Sequence, residues 1–130
     1  MNHSKEKPYG MALEKLLGEK TKVLSKAQAF LQMGMPETAE PFWKRAATLE
    51  ERIAPQLDAI GRRREAAIHR ISAATCYRNV AEYSSAANLF QAALAGPLTD
   101  ASRAEVELHL EDCLCALAAS PSSRVTVAAK

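Results

Sequence analysis

The sequence repeats one pattern of small and aromatic residues, and this repetition constrains the fold more than any other feature. In both copies a small residue is followed by an aromatic, an alanine, a second aromatic and a second alanine, at identical spacings. The first copy consists of Ala27, Phe30, Ala39, Trp43 and Ala46, and the second, 47 positions later, of Ala74, Tyr77, Ala86, Phe90 and Ala93. Repetition of this kind indicates stacked structural units, which usually present a binding surface rather than a catalytic pocket.

The spacing within each copy predicts two helices joined by a short turn. The first two residues of a copy lie three positions apart and share one helix face. The last three follow the i, i+4, i+7 spacing of a second apolar helix face. Gly34 and Pro36 lie between the two helices of the first copy, where glycine favours the end of a helix and proline favours its first turn. Each copy therefore predicts an antiparallel helical hairpin.

This pattern resembles the tetratricopeptide repeat (TPR) family, which places small and aromatic residues at these intervals. Residues 36–46, which include Pro41 and Trp43, look like the second helix of the longer, kinesin-light-chain-type repeats. The resemblance covers residues 22–95 as two repeats, with residues 100–119 as an opening or capping helix. It implies an all-α fold of stacked antiparallel hairpins that acts as a non-enzymatic scaffold or adaptor. The partner would be a protein or peptide, or a second copy of the chain.

The apolar periodicity predicts about five helices in one domain. Abundant alanine, with 5 glycines and 6 prolines in 130 residues, favours helix throughout. We expect a TPR-like domain over residues 11–119, between a flexible N-terminus at 1–10 and a disordered tail at 120–130. The expected helices span about 11–33, 36–53, 57–79, 82–95 and 101–119, with Thr99 and Asp100 capping the last.

Charge and cysteine content exclude several functional classes. A formal net charge of +2 is too small to indicate a nucleic-acid or anionic-membrane partner. No apolar run approaches the roughly 18–20 residues of a membrane span, and the N-terminus lacks an apolar signal core. Three cysteines, an odd number, fit a cytoplasmic protein without a disulfide framework.

The three consecutive arginines at 62–64 could bind phosphate groups, but we favour the interpretation that they form a solvated helix start beside Asp58 and Glu65.

Catalytic residues and cofactors are not expected. The chain lacks a glycine-rich phosphate loop and a serine nucleophile elbow. His109 and Cys113 share a helix face, but Cys115 lies about 200° around the helix from Cys113. We therefore favour buried cysteines over metal ligands. One alternative stays open, a helical bundle that holds a metal or small ligand through His69, Cys76, His109 and Cys113.

The TPR resemblance implies a binding face on the first helix of each hairpin. The positions that would face the groove are Thr21, Leu24, Gln28 and Leu31, and then Ile68, Ile71, Thr75 and Arg78. Six of these are the predicted partner-binding residues, namely Leu24, Gln28, Leu31, Ile71, Thr75 and Arg78. Leu24 and Ile71 would be apolar anchors, and Arg78 would donate hydrogen bonds to a carboxylate or carbonyl.

Overall fold

A computed structural model describes residues 9–119 of this chain. Its five α-helices are α1 (Met11–Gln32), α2 (Pro36–Ala59), α3 (Arg63–Asn79), α4 (Tyr83–Leu94) and α5 (Asp100–Ala119). Since residues 9–119 contain no strand, the expected all-α fold with about five helices is confirmed. Most of the predicted flexible N-terminus (1–10) and all of the predicted tail (120–130) lie outside the described residues. None of the five helices is both long and apolar enough to cross a membrane.

The first three connections are turns of three residues that share one design. The middle residue of each turn has a left-handed backbone, with φ of 75° at Gly34, 81° at Gly61 and 62° at Ala81. The residue that follows donates its backbone N–H to a carbonyl five positions earlier. These bonds join Met35 to Phe30, Arg62 to Leu57, and Glu82 to Tyr77, at 2.9, 2.8 and 2.9 Å. This geometry ends one helix and starts the next at once, so neighbouring helices run antiparallel.

The helices pack in chain order, each mainly against its neighbours in sequence. Trp43 of α2 lies in a cluster with Ala27 of α1 and Cys76 of α3. Phe90 of α4 occupies the corresponding position, in a cluster with residues of α3 and α5. The alanines of both repeat copies, which are Ala27, Ala39, Ala46, Ala74, Ala86 and Ala93, are all fully buried. The repeated alanines therefore allow close helix contact, and the aromatics fill the space between successive hairpins.

The boundary between α2 and α3 differs from the sequence prediction. The predicted end of the second helix near Pro55 and start of the third near Leu57 are both wrong, because α2 continues to Ala59. Pro55 cannot bond the carbonyl of Glu51, but both residues are exposed, so water can satisfy that carbonyl. Leu57 is buried and packs with the α1 leucines, so it belongs to the core face of α2. Gly61 supplies the left-handed turn that ends this helix.

The last connection, residues 95–99, is held by side-chain hydrogen bonds. The backbone N–H of Ser102 donates to Thr99 Oγ1 at 3.1 Å, so Thr99 caps α5 as predicted. Arg103 donates to the carbonyls of Leu94 and Gly96 at 2.8 and 3.2 Å. These bonds fix the start of α5 against the end of α4.

Candidate interaction groove

A groove of about 410 Å³ runs between α1 and α3, and Trp43 of α2 also lines it. Leu24 and Gln28 line it from α1, and Ile71 and Thr75 line it from α3. Ile68, Ser72, Cys76 and Asn79 complete the α3 wall. Four of the six predicted partner-binding residues therefore lie together, because the three- and four-residue spacings place them on facing sides of α1 and α3.

The groove has apolar walls with a few polar groups. Leu24 and Ile71 are half-buried, and each packs against a core cluster beneath it. Ile68 is 53 % exposed, so a partner could remove its side chain from water. The Thr75 hydroxyl donates to the carbonyl of Ile71 at 3.0 Å, which leaves its oxygen able to accept a further bond. Apolar surface with a few orienting polar groups is typical of a binding site.

The other two predicted residues, Leu31 and Arg78, do not line this groove. Leu31 lies near the end of α1, beyond Gln28, and is 48 % exposed. Arg78 turns toward α5, and its Nη1 donates to His109 Nδ1 at 2.6 Å. Because a guanidinium can only donate, His109 accepts this bond through Nδ1. Arg78 is therefore engaged within the molecule, where we expected it to bond a partner.

Two further groove residues on α3, Ser72 and Asn79, could have been found from spacing alone. They share a helix face with Ile68 and Thr75, since the four positions follow the i, i+4, i+7, i+11 pattern. Trp43, which we predict to be a core residue, is buried, and it also contributes to the groove. The repeat pattern alone does not indicate that one residue serves both purposes.

A buried carboxylate links the three helices around this groove. Glu50 of α2 is fully buried, and His69 Nδ1 of α3 lies 2.5 Å from its Oε1. Lys20 of α1 places its Nζ 4.0 Å from Oε2, an atom with no hydrogen-bond partner among the described residues. Sequence analysis missed this cluster and did not assign Glu50 a structural role. An isolated buried carboxylate would be costly, so these contacts tie α1 and α3 to α2.

The arginine run at 62–64 lies at the start of α3, and all three side chains are exposed. Arg62 Nη1 lies 3.4 Å from Glu65 Oε1, and its guanidinium lies 5.3 Å from the ring centre of Tyr9. Tyr9 in turn donates its hydroxyl to Glu65 at 2.7 Å, a bond that raises the pKa of the phenol. These contacts agree with the solvated helix start that we favoured.

The four residues of the alternative metal site do not form one cluster. His69 bonds Glu50, whereas His109 accepts from Arg78 and stacks on Phe90 at 5.7 Å. Burial is the main cause, and the charge of Glu50 the second cause, that together raise the pKa of Cys76 to about 12. Burial also raises the pKa of Cys113, which is fully buried. Over residues 9–119, no three His, Cys, Asp or Glu side chains converge as a metal site would require.

Part of the chain matches a known protein family. Residues 84–114, which cover most of α4 and most of α5, match a family described as "Putative zinc-finger". No curated protein and no solved structure matches the chain significantly. The matched segment contains His109 and Cys113, but within residues 9–119 they form no group of three with another His, Cys, Asp or Glu side chain. A structural zinc site usually needs four ligands in tetrahedral arrangement, and the side chains around His109 do not fit that requirement.

Proposed function

We propose that this protein is a TPR-like, non-enzymatic interaction module that binds a peptide or helix in the groove between α1 and α3. The observation that supports it most is the convergence of Leu24, Gln28, Ile71 and Thr75 on one groove. The full burial of all repeat alanines also supports a TPR-like stacking of hairpins. As part of the same proposal we place the protein in the cytoplasm, since all three cysteines are free.

The groove suits a partner that contributes apolar side chains. Leu24 and Ile71 already rest on the core, so they lose little conformational freedom when a partner covers them. Ile68 adds exposed apolar surface beside them. Gln28 and the Thr75 oxygen would orient the partner through hydrogen bonds. A few buried apolar anchors of this kind carry most of the energy of an interface.

Selection from a peptide library tests this proposal. Peptides selected on the wild-type protein should lose most of their affinity for a Leu24→Glu, Ile71→Glu variant, because charge would enter the apolar walls. An Ile68→Glu variant provides a second test at an exposed position, where folding is not at risk. The matched control is Ile60→Glu, since Ile60 is 51 % exposed but lies at the α2–α3 turn. Selected peptides that bind the groove variants as tightly as the wild type would refute the proposal.

The match to the zinc-finger family favours a second candidate function, a metal site that includes His109 and Cys113. Metal analysis of protein purified from zinc-supplemented medium tests it directly. Because no third possible ligand joins His109 and Cys113 within residues 9–119, we expect no stoichiometric zinc. One zinc per chain that disappears in a His109→Ala variant would favour the metal site over the interaction module.

A further inference from the structure

Helix α5 carries exposed apolar side chains on the side that does not pack into the cluster around Phe90. Val106 and Cys113 are its buried residues, and they pack in the cluster around Phe90. A shallow groove of about 700 Å³ is lined by Leu94 at the end of α4 and, on α5, by Ala104, Glu107, Leu108, Leu110, Glu111 and Leu114. Leu108 is 63 % exposed and Leu114 is 47 % exposed. We call the five residues 104, 107, 108, 111 and 114 the outer stripe, since their spacing places them on one helix face.

The order of the helices indicates what shape would cover the outer stripe. Helices α2, α3 and α4 each pack extensively against the helix before and the helix after them. Within the described residues, the extensive contacts of α5 are with α4. Each helix from α2 to α5 packs against the helix before it in the chain. If this order continued, a sixth helix would lie against the outer stripe. A helix is therefore the element that would continue this packing.

The charge on the outer stripe indicates the chemistry of that helix. Glu107 and Glu111 lie one helical turn apart, next to Leu108, and no lysine or arginine lines this groove. If a second copy of the chain bound through its own α5, four carboxylates would meet without a cation, which disfavours self-association. A helix with basic residues beside its apolar face would instead pair with both carboxylates.

We propose that the outer stripe of α5 binds an amphipathic helix of another protein, whose apolar face is bordered by lysine or arginine residues. Leu108 and Leu114 are the anchors, and Glu107 and Glu111 select for positive charge. This site is separate from the groove between α1 and α3, so either one can fail in experiment while the other holds.

Two synthetic helical peptides test the proposal with the full-length chain. Both peptides carry the same stripe of leucines. Beside that stripe, the lysine peptide has two lysines one helical turn apart, and the glutamate peptide has two glutamates at the same positions. Fluorescence anisotropy should show at least about tenfold tighter binding of the lysine peptide, as expected for complementary charges at an interface. A Glu107→Lys, Glu111→Lys variant should reverse that preference. The matched control is Glu105→Lys, Asp112→Lys, which changes the net charge equally on another face of α5.

A second pair of variants tests the apolar anchors. Leu108→Ser with Leu114→Ser should weaken binding of the lysine peptide by at least about tenfold, since anchors dominate such interfaces. The control is Met33→Ser with Ile60→Ser. These residues are 61 % and 51 % exposed, but they lie in the α1–α2 and α2–α3 turns and not on α5. Equal effects of the stripe and control variants, or no measurable binding of the lysine peptide, would overturn the proposal. So would a dimer in light scattering that Leu108→Ser abolishes, which would make a second copy the occupant.

Discussion

Exchanging glycine and alanine between the two equivalent hairpin turns should change stability in opposite directions. Gly34 and Ala81 occupy the same position in their turns, 47 residues apart, and both have a left-handed backbone, at φ 75° and 62°. Such a conformation costs a non-glycine residue about 1–2 kcal/mol, whereas glycine loses about 0.5–1 kcal/mol in extra chain entropy. Ala81→Gly should therefore stabilise the protein by about 0.5–1 kcal/mol, and Gly34→Ala should destabilise it by a similar amount.

The surroundings make this a test of the backbone alone. A Cβ atom added at Gly34 would meet nothing within 4 Å, and Ala81 is exposed. Thermal unfolding followed by circular dichroism measures the change, since 1 kcal/mol shifts the Tm of a domain this size by about 4 °C. The control is Ala95→Gly, at an exposed residue with φ of −75°, where glycine should only destabilise. A lower Tm for Ala81→Gly, or an unchanged Tm for Gly34→Ala, would refute the equivalence of the two turns.

Three further predictions concern the core and the titratable groups. Phe90→Ala and Trp43→Ala should each cost about 3–5 kcal/mol in urea unfolding, since both aromatics are buried between successive hairpins; a negligible cost for either would contradict their equivalence. A thiol reagent should modify one cysteine of the native protein, the exposed Cys115, and all three after unfolding; rapid native labelling of Cys76 would be inconsistent with its burial. Burial, followed by a hydrogen bond to Glu51, raises the pKa of Tyr77, so the unfolded chain loses its phenol proton first and stability should fall above about pH 10. Tyr77→Phe should make that fall shallower, and an unchanged slope would refute the assignment.

The sequence was most informative where residue type and local geometry coincide. Gly34, Pro36 and Thr99 are suited to helix ends by their own chemistry, and the structure uses each of them there. Ala81 has no such preference, and its turn is identified only by alignment with the first repeat copy. Pro55 misled the prediction because an exposed helix position tolerates a proline when water can satisfy the freed carbonyl.

The candidate groove was partly predictable for a similar reason. Leu24, Gln28, Ile71 and Thr75 follow from helix periodicity and the order of the hairpins. The bond from Arg78 to His109 could not be predicted, since the two residues lie 31 positions apart on different helices. The burial of Glu50 likewise depends on Lys20 and His69, which two other helices supply. Contacts between distant helices leave no local pattern in the sequence.

Amide chemical-shift mapping by NMR, with a peptide selected on the wild-type protein, tests the central claim most directly. If the protein is an interaction module that uses the groove between α1 and α3, the largest shifts should cluster on both walls of that groove. The expected centres are Leu24 and Gln28 on α1, with Ile71 and Thr75 on α3. Shifts confined to α5, or scattered through the helices without a common face, would contradict it.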